Sequence, residues 1–239
     1  VWVLDEYLGK YHIKKRIATA SFLMFVPALG KYIPGKIWVT GSFIINAKQM
    51  AQISAKDVLG FQVYFQLIGL GSTLILLILG YIIGHSMFYS ISYLLISILI
   101  VVAFFAFIIY IKSKVNFEFK GLINPKSAIR HLLAILLQKS TRGFSLLIFI
   151  SAFVDVGYYL EIFYAYILAM QTGVLAFFAP AGIGITEGTY MLVLSPLKGA
   201  EFAVLVALIS RLWSTAIDFL LAAVGMVIKY IYLSEKTES

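Results

Sequence analysis

The sequence predicts an all-α polytopic membrane protein, with about four full transmembrane helices and two opposed re-entrant hairpins of broken helix compatible with an inverted repeat. Three observations carry this expectation. Hydrophobic residues make up 62% of the 239 residues and charged residues 13%, with a mean hydropathy of +0.97, far from the roughly 45–50% apolar and 25% charged of a soluble domain. Long stretches carry no charge at all, each able to cross about 30 Å of hydrocarbon. Lysine and arginine collect between those stretches, as they do in cytoplasmic loops.

The formal net charge of +8 therefore points to anionic lipid headgroups, and nucleic acid is not an expected partner. Cysteine is absent, which excludes disulfides, thiolate nucleophiles, Cys-ligated zinc and iron–sulfur clusters. His12, His85 and His131 are scattered, and no HExxH, GxSxG or Walker sequence occurs, so neither a catalytic residue nor a bound metal or cofactor is expected.

Taken in order, residues 1–16 end in a basic run, Lys14, Lys15 and Arg16, and the following apolar stretch is too short to span before Lys31. Gly30–Trp38, GKYIPGKIW, breaks it, and apolar residues resume to Ile45; residues 17–45 are expected to form the first broken hairpin. Asn46 to Asp57 is polar and suits an interface. Val58–Ile83 and Met87–Ile111 are uncharged and are expected to span. The basic stretch 112–142 contains Asn124 and Pro125 as a helix cap and first-turn residue. Ile129, Leu132, Leu133 and Leu136 on one side of it suggest an amphipathic helix lying on the membrane. A third span is expected over 143–166. A second broken hairpin follows over 167–197, interrupted by FAPAGIGITEG at 178–188, and a last span covers 201–228.

Charge parity orients these elements. With 112–142 and the basic residues near 10–16 both cytoplasmic, 17–45 must enter and leave on the inner side, and the second hairpin must dip from the outer side. Opposed broken hairpins of this kind hold substrate near the midplane in inverted-repeat transporters. Pro34 and Thr40 match Pro180 and Thr186 in spacing, a weak echo between the halves.

Candidate site residues fall at the two breaks and in the last span. Lys31, Gly35 and Lys36 offer charge and open backbone for a phosphate, against the plainer reading of an interfacial turn whose lysines snorkel and whose Tyr32 and Trp38 are interface anchors. At the second break Gly182 and Gly184 keep the backbone open, Thr186 is placed to cap the next helix, and Glu187 sits in its first turn. Arg211 and Asp218, seven residues apart (211 to 218), share a face of the last span at about 10 Å along the axis and are expected to pair with other helices. For Arg211 the candidate acids are Asp155, Glu161 and Glu187.

The order and spacing of GKYIPGKIW, PAGIGITEG and RLWSTAID resemble the lysylphosphatidylglycerol synthase transmembrane region, the flippase-like membrane domain of the multiple peptide resistance factors. The resemblance covers most of the chain from about Trp2. It implies one membrane domain over 1–239 that lacks N-terminal helices, sitting in the plasma membrane of a prokaryote. It also implies lipid translocation without catalysis, and it directs interest to Gly30–Lys36, Pro180–Glu187 and Arg211. The expected partners are a membrane phospholipid or polyprenyl-linked lipid, and a second copy of the chain as a homodimer. Two alternatives stay open: a membrane enzyme or subunit acting on lipid-linked sugars, and a small-solute secondary transporter.

Overall fold

The computed structural model describes residues 1–83, 124–153, 157–176 and 179–233, except His12, Lys14, Gly35 and Lys36, together with Val102. Among these residues every regular element is helical: α1 (Trp2–Leu8), α2 (Arg16–Phe25), α3 (Ile37–Ala51), α4 (Ala55–Ile83), α5 (Pro125–Ser151), α6 (Tyr159–Leu175) and α7 (Ile185–Leu233). Three segments, Ala55–Gly80, Lys126–Ser151 and Pro180–Ile231, are long and apolar enough to cross a bilayer. The span expected over 87–111 lies outside the described residues.

Local chemistry accounts for the helix ends. Gln52, at φ 54°, closes α3 in the left-handed conformation, and its N–H donates to the Lys48 carbonyl at 3.1 Å. Ser54 then caps α4. Its Oγ accepts from the Asp57 N–H (3.2 Å) and donates to Asp57 Oδ2 (2.8 Å), so the side-chain N-cap is held in place by the acid three residues on. Asn124 caps α5 as expected, its side chain accepting from the Lys126 N–H at 3.1 Å with Pro125 following. Asn124→Ala is expected to lower stability by about 1 kcal/mol and Asn124→Gly by only a few tenths; melting temperatures in detergent, read by tryptophan fluorescence, check the ranking.

The stretch after Asn124 departs from expectation. The basic residues 124–142 do not form a separate surface helix followed by a span over 143–166. One helix, α5, runs unbroken to Ser151, and a new helix starts at Tyr159. The reason lies in which face is buried. Ser127, His131, Ile135, Lys139, Gly143, Leu146 and Ile150, at helical spacing, turn inward, while Ile129, Leu133, Leu137, Phe144 and Ile148 are exposed. In water the apolar side of such a helix would lie against a surface. Here polar partners on α1, α4 and α6 receive the polar stripe, and the apolar side is left outermost, as in a helix solvated by lipid.

Contacts give the helices their directions. At one end of the bundle Tyr7 donates to the Asp57 carbonyl at 3.0 Å, and Glu6 meets Arg130 at 3.1 Å and His131 at 3.2 Å. The starts of α4 and α5 therefore lie beside α1, and the two run parallel. Going along α6, Phe163 lies over Gly143, Tyr164 over Gly80, and Gln171 beside Thr73 and Lys139, so α6 runs antiparallel to both. The 49-residue α7 bends at Lys198 and Gly199, where Gly199 has φ 85°; this is where the sequence ends the second hairpin and begins the last span. Beyond the bend, Gly225 packs on Phe22, Phe25 and Val26, and Lys229 lies 4.7 Å from the Phe22 ring. The last part of α7 thus runs against α2 toward the end that holds α1. Apolar burial forms two clusters, one around Leu146, Ile162, Ile167 and Leu194, the other around Leu4, Leu23 and Phe61; α4 joins both.

Candidate functional site

The first break is a 3-10 turn, Pro27–Tyr32, between α2 and α3. Gly30 is required there because a Cβ would stand 2.7 Å from the Val39 nitrogen and 2.8 Å from the Trp38 carbonyl carbon. Both are backbone atoms that cannot yield, so α3 can fold back closely only over a glycine. Ile33 is extended (φ −87°, ψ 135°) ahead of Pro34, as the residue before proline prefers.

The second break is the 3-10 turn Pro180–Gly182 between α6 and α7. Ala181, Gly182 and Gly184 all have positive φ (47°, 72° and 83°). A Cβ on Gly182 would lie 2.8 Å from the Gly173 Cα, so glycine is needed for both its torsion and its closeness to α6. Across the same seam Thr172 Oγ1 and Thr189 Oγ1 are 2.9 Å apart.

Thr186 does not cap α7. The helix starts one residue earlier, at Ile185, so Thr186 lies inside the first turn, with its hydroxyl 3.1 Å from the Gly182 carbonyl oxygen and 2.9 Å from Glu187 Oε2. Capping falls to Glu187, whose Oε2 accepts from the Gly184 N–H at 2.7 Å. The carboxylate suits this position because the first free N–H groups of the helix and its dipole both favour negative charge.

The two breaks pack against each other, and α7 passes both. Two ion pairs cross at this junction. Arg211 Nη1 donates to Glu187 Oε1, joining the part of α7 beyond its bend to the second break. Lys31 Nζ lies 2.5 Å from Asp218 Oδ2, and the Tyr32 hydroxyl donates to the same oxygen at 2.8 Å, joining α7 to the first break. Tyr32 stacks on Phe219 with ring centroids 5.7 Å apart. Asp218 is nearly buried, with 8% of its side chain exposed, whereas Lys31, Arg211 and Glu187 keep 28–35%. The pairs are thus closed on the Asp218 side and open at the cations.

Of the predicted site residues, the structure brings Lys31 to Asp218 and Arg211 to Glu187, with Gly182, Gly184 and Thr186 shaping the second break. Gly35, Lys36 and Asp155 lie outside the described residues. Tyr32, an interface anchor in the plainer reading of this turn, hydrogen-bonds Asp218. Sequence reasoning also missed the buried Lys139; the signal was the spacing of Ser127, His131, Ile135 and Lys139, four residues apart and continuing into Gly143. Comparison with models of protein families, with curated proteins and with solved structures gives no match.

Proposed function

We propose that the chain is a lipid translocase, a flippase-like domain that passes a phospholipid or polyprenyl-linked headgroup between leaflets while the acyl chains stay in lipid. The observation that carries this reading is the pair of ion pairs where the two breaks meet. A charge at the bilayer centre costs at least about 2.5–3.5 kcal/mol, so a headgroup phosphate needs counter-charges along its route. Arg211 and Lys31 supply them by exchanging their carboxylates for phosphate oxygens, Arg211 with a planar fork suited to the task. Glu187 and Asp218, released, are free to take a cationic or hydroxylated part of the headgroup. No covalent step is involved.

In this reading the end bearing α1 is cytoplasmic, in a prokaryotic plasma membrane, and the two broken hairpins are re-entrant from opposite sides. The antiparallel runs of α2 and α6 against their neighbours support that topology, and the resemblance to the lysylphosphatidylglycerol synthase transmembrane region supports a lipid over a soluble solute. Reconstitution into vesicles with fluorescent phospholipid in both leaflets tests it. The protein should expose inner-leaflet label to an external quencher faster than empty vesicles do. Equal rates across anionic, zwitterionic and polyprenyl-phosphate headgroups would remove the proposal.

A further inference from the structure

Lys139 lies on the inward stripe of α5, 6% exposed. Its Nζ is 2.6 Å from the Gly69 carbonyl oxygen, 2.5 Å from Thr73 Oγ1 and 3.4 Å from Gln171 Oε1. Among the described residues no carboxylate reaches it. A lysine inside a membrane helix ordinarily pairs with an acid or faces water; this one has three neutral acceptors, one for each proton of an ammonium. The Thr73 hydroxyl donates onward to Gln171 Oε1 at 3.0 Å, while Gln171 Nε2 is buried with no partner among the described residues.

That orphaned amide donor gives the cluster a second arrangement. A side-chain amide has an acceptor edge and a donor edge, and its terminal torsion is soft. With Oε1 inward, Gln171 serves the ammonium. With Nε2 inward, it donates to the lone pair of a neutral amine and the unpaired N–H finds its partner. The cluster therefore has a hydrogen-bonded form for each state of Lys139, which a fixed structural cation would not need. Gln171 is followed directly by Thr172 and Gly173, the two residues that hold the seam with the second break.

We propose that Lys139 is a proton-binding site whose gain or loss of one proton turns the Gln171 amide and shifts the last turn of α6 against the second break. The only bond made or broken is N–H, with water delivering and removing the proton. Among the described residues, the ionisable groups around it do not contact Nζ. On α5, Arg142 bonds to Tyr166 of α6, and His131 lies between Tyr64 of α4 and Glu6 of α1. The facing turns of α4 bring Gly69, Ser72, Thr73 and Leu76, none of which titrates. From α7, Trp213 stacks on Phe149 of α5 at 4.6 Å and brings no ionisable group to Nζ.

The test does not depend on transport, so it stands apart from the lipid reading. The chain has no cysteine, and spin labels at Leu137→Cys and Ile183→Cys, both exposed positions, report the distance between α5 and the second break in lipid nanodiscs. Between mildly acidic and mildly alkaline buffer a second distance population should appear with Lys139 present, and be lost in Lys139→Met and in Lys139→Arg. Gln171→Leu retains the lysine and removes the amide, so it should abolish the response in a protein that still elutes as a single species. A distance distribution indifferent to pH, or the same response in Lys139→Arg or Gln171→Leu, would overturn the proposal.

Discussion

Arg211→Ala is expected to slow phospholipid exchange by the reconstituted protein about tenfold or more while leaving it folded. Removing one partner of a buried ion pair costs about 3–5 kcal/mol. Arg211 and Glu187 each retain close to a third of their side-chain exposure, and solvent screening reduces that to about 1–2 kcal/mol. Each 1.4 kcal/mol placed on the rate-limiting passage is about tenfold in rate. Stability should fall less, because Glu187 keeps the Gly184 N–H and the Thr186 hydroxyl and α7 remains capped. Arg211→Lys preserves the charge without the planar fork and should fall between the two. Quench rates measured at matched protein density decide it; a rate for Arg211→Ala within twofold of the parent would separate this ion pair from transport.

The second large effect is on the fold, at Gly182. An alanine there meets two penalties. The left-handed torsion costs a non-glycine residue about 1–2 kcal/mol, and the new Cβ stands 2.8 Å from a backbone Cα, with Thr186 Cγ2 at 3.1 Å. Gly184→Ala is the built-in comparison. It has a positive φ of 83°, but its Cβ meets nothing within 4 Å, so it bears the torsional penalty alone. Gly182→Ala should therefore melt well below Gly184→Ala, and the seam between α6 and the second break should open. The difference is read by thermal unfolding in detergent, with proteolysis between residues 176 and 184 as a local probe. Equal melting temperatures would mean that α6 and the break are not in close contact.

Several features were legible before any contact was known, and they share a cause. The uncharged run 58–83, the glycine and proline clusters at 30–36 and 180–184, the Asn124 cap and the placement of Arg211 and Asp218 on one face of the last span all depend on the chain within a few residues. Torsional permission, caps and the length of an apolar run are local quantities, so sequence determines them by itself. The reading failed at 124–166 because an amphipathic stripe has no sign until its solvent is known. Beside a membrane surface the polar stripe faces water; inside the bundle the same stripe faces Glu6, Tyr64, Thr73 and Gln171.

Partners were the other thing sequence could not assign. Arg211 had three candidate acids in sequence, and Glu187 became its partner because the bend at Lys198 and Gly199 folds the last part of α7 back along the second break. Lys31 and Tyr32 lie far along the chain from Asp218 and meet it because α2 packs against the end of α7 over Gly225. Sequence by itself determined that this is a helical membrane chain, where its helices break, and which charges it carries into the apolar interior. Tertiary structure alone decided which of those charges neutralise one another and that, among the described residues, no carboxylate reaches Lys139, because pairing follows from the distance between helices, which no local pattern encodes.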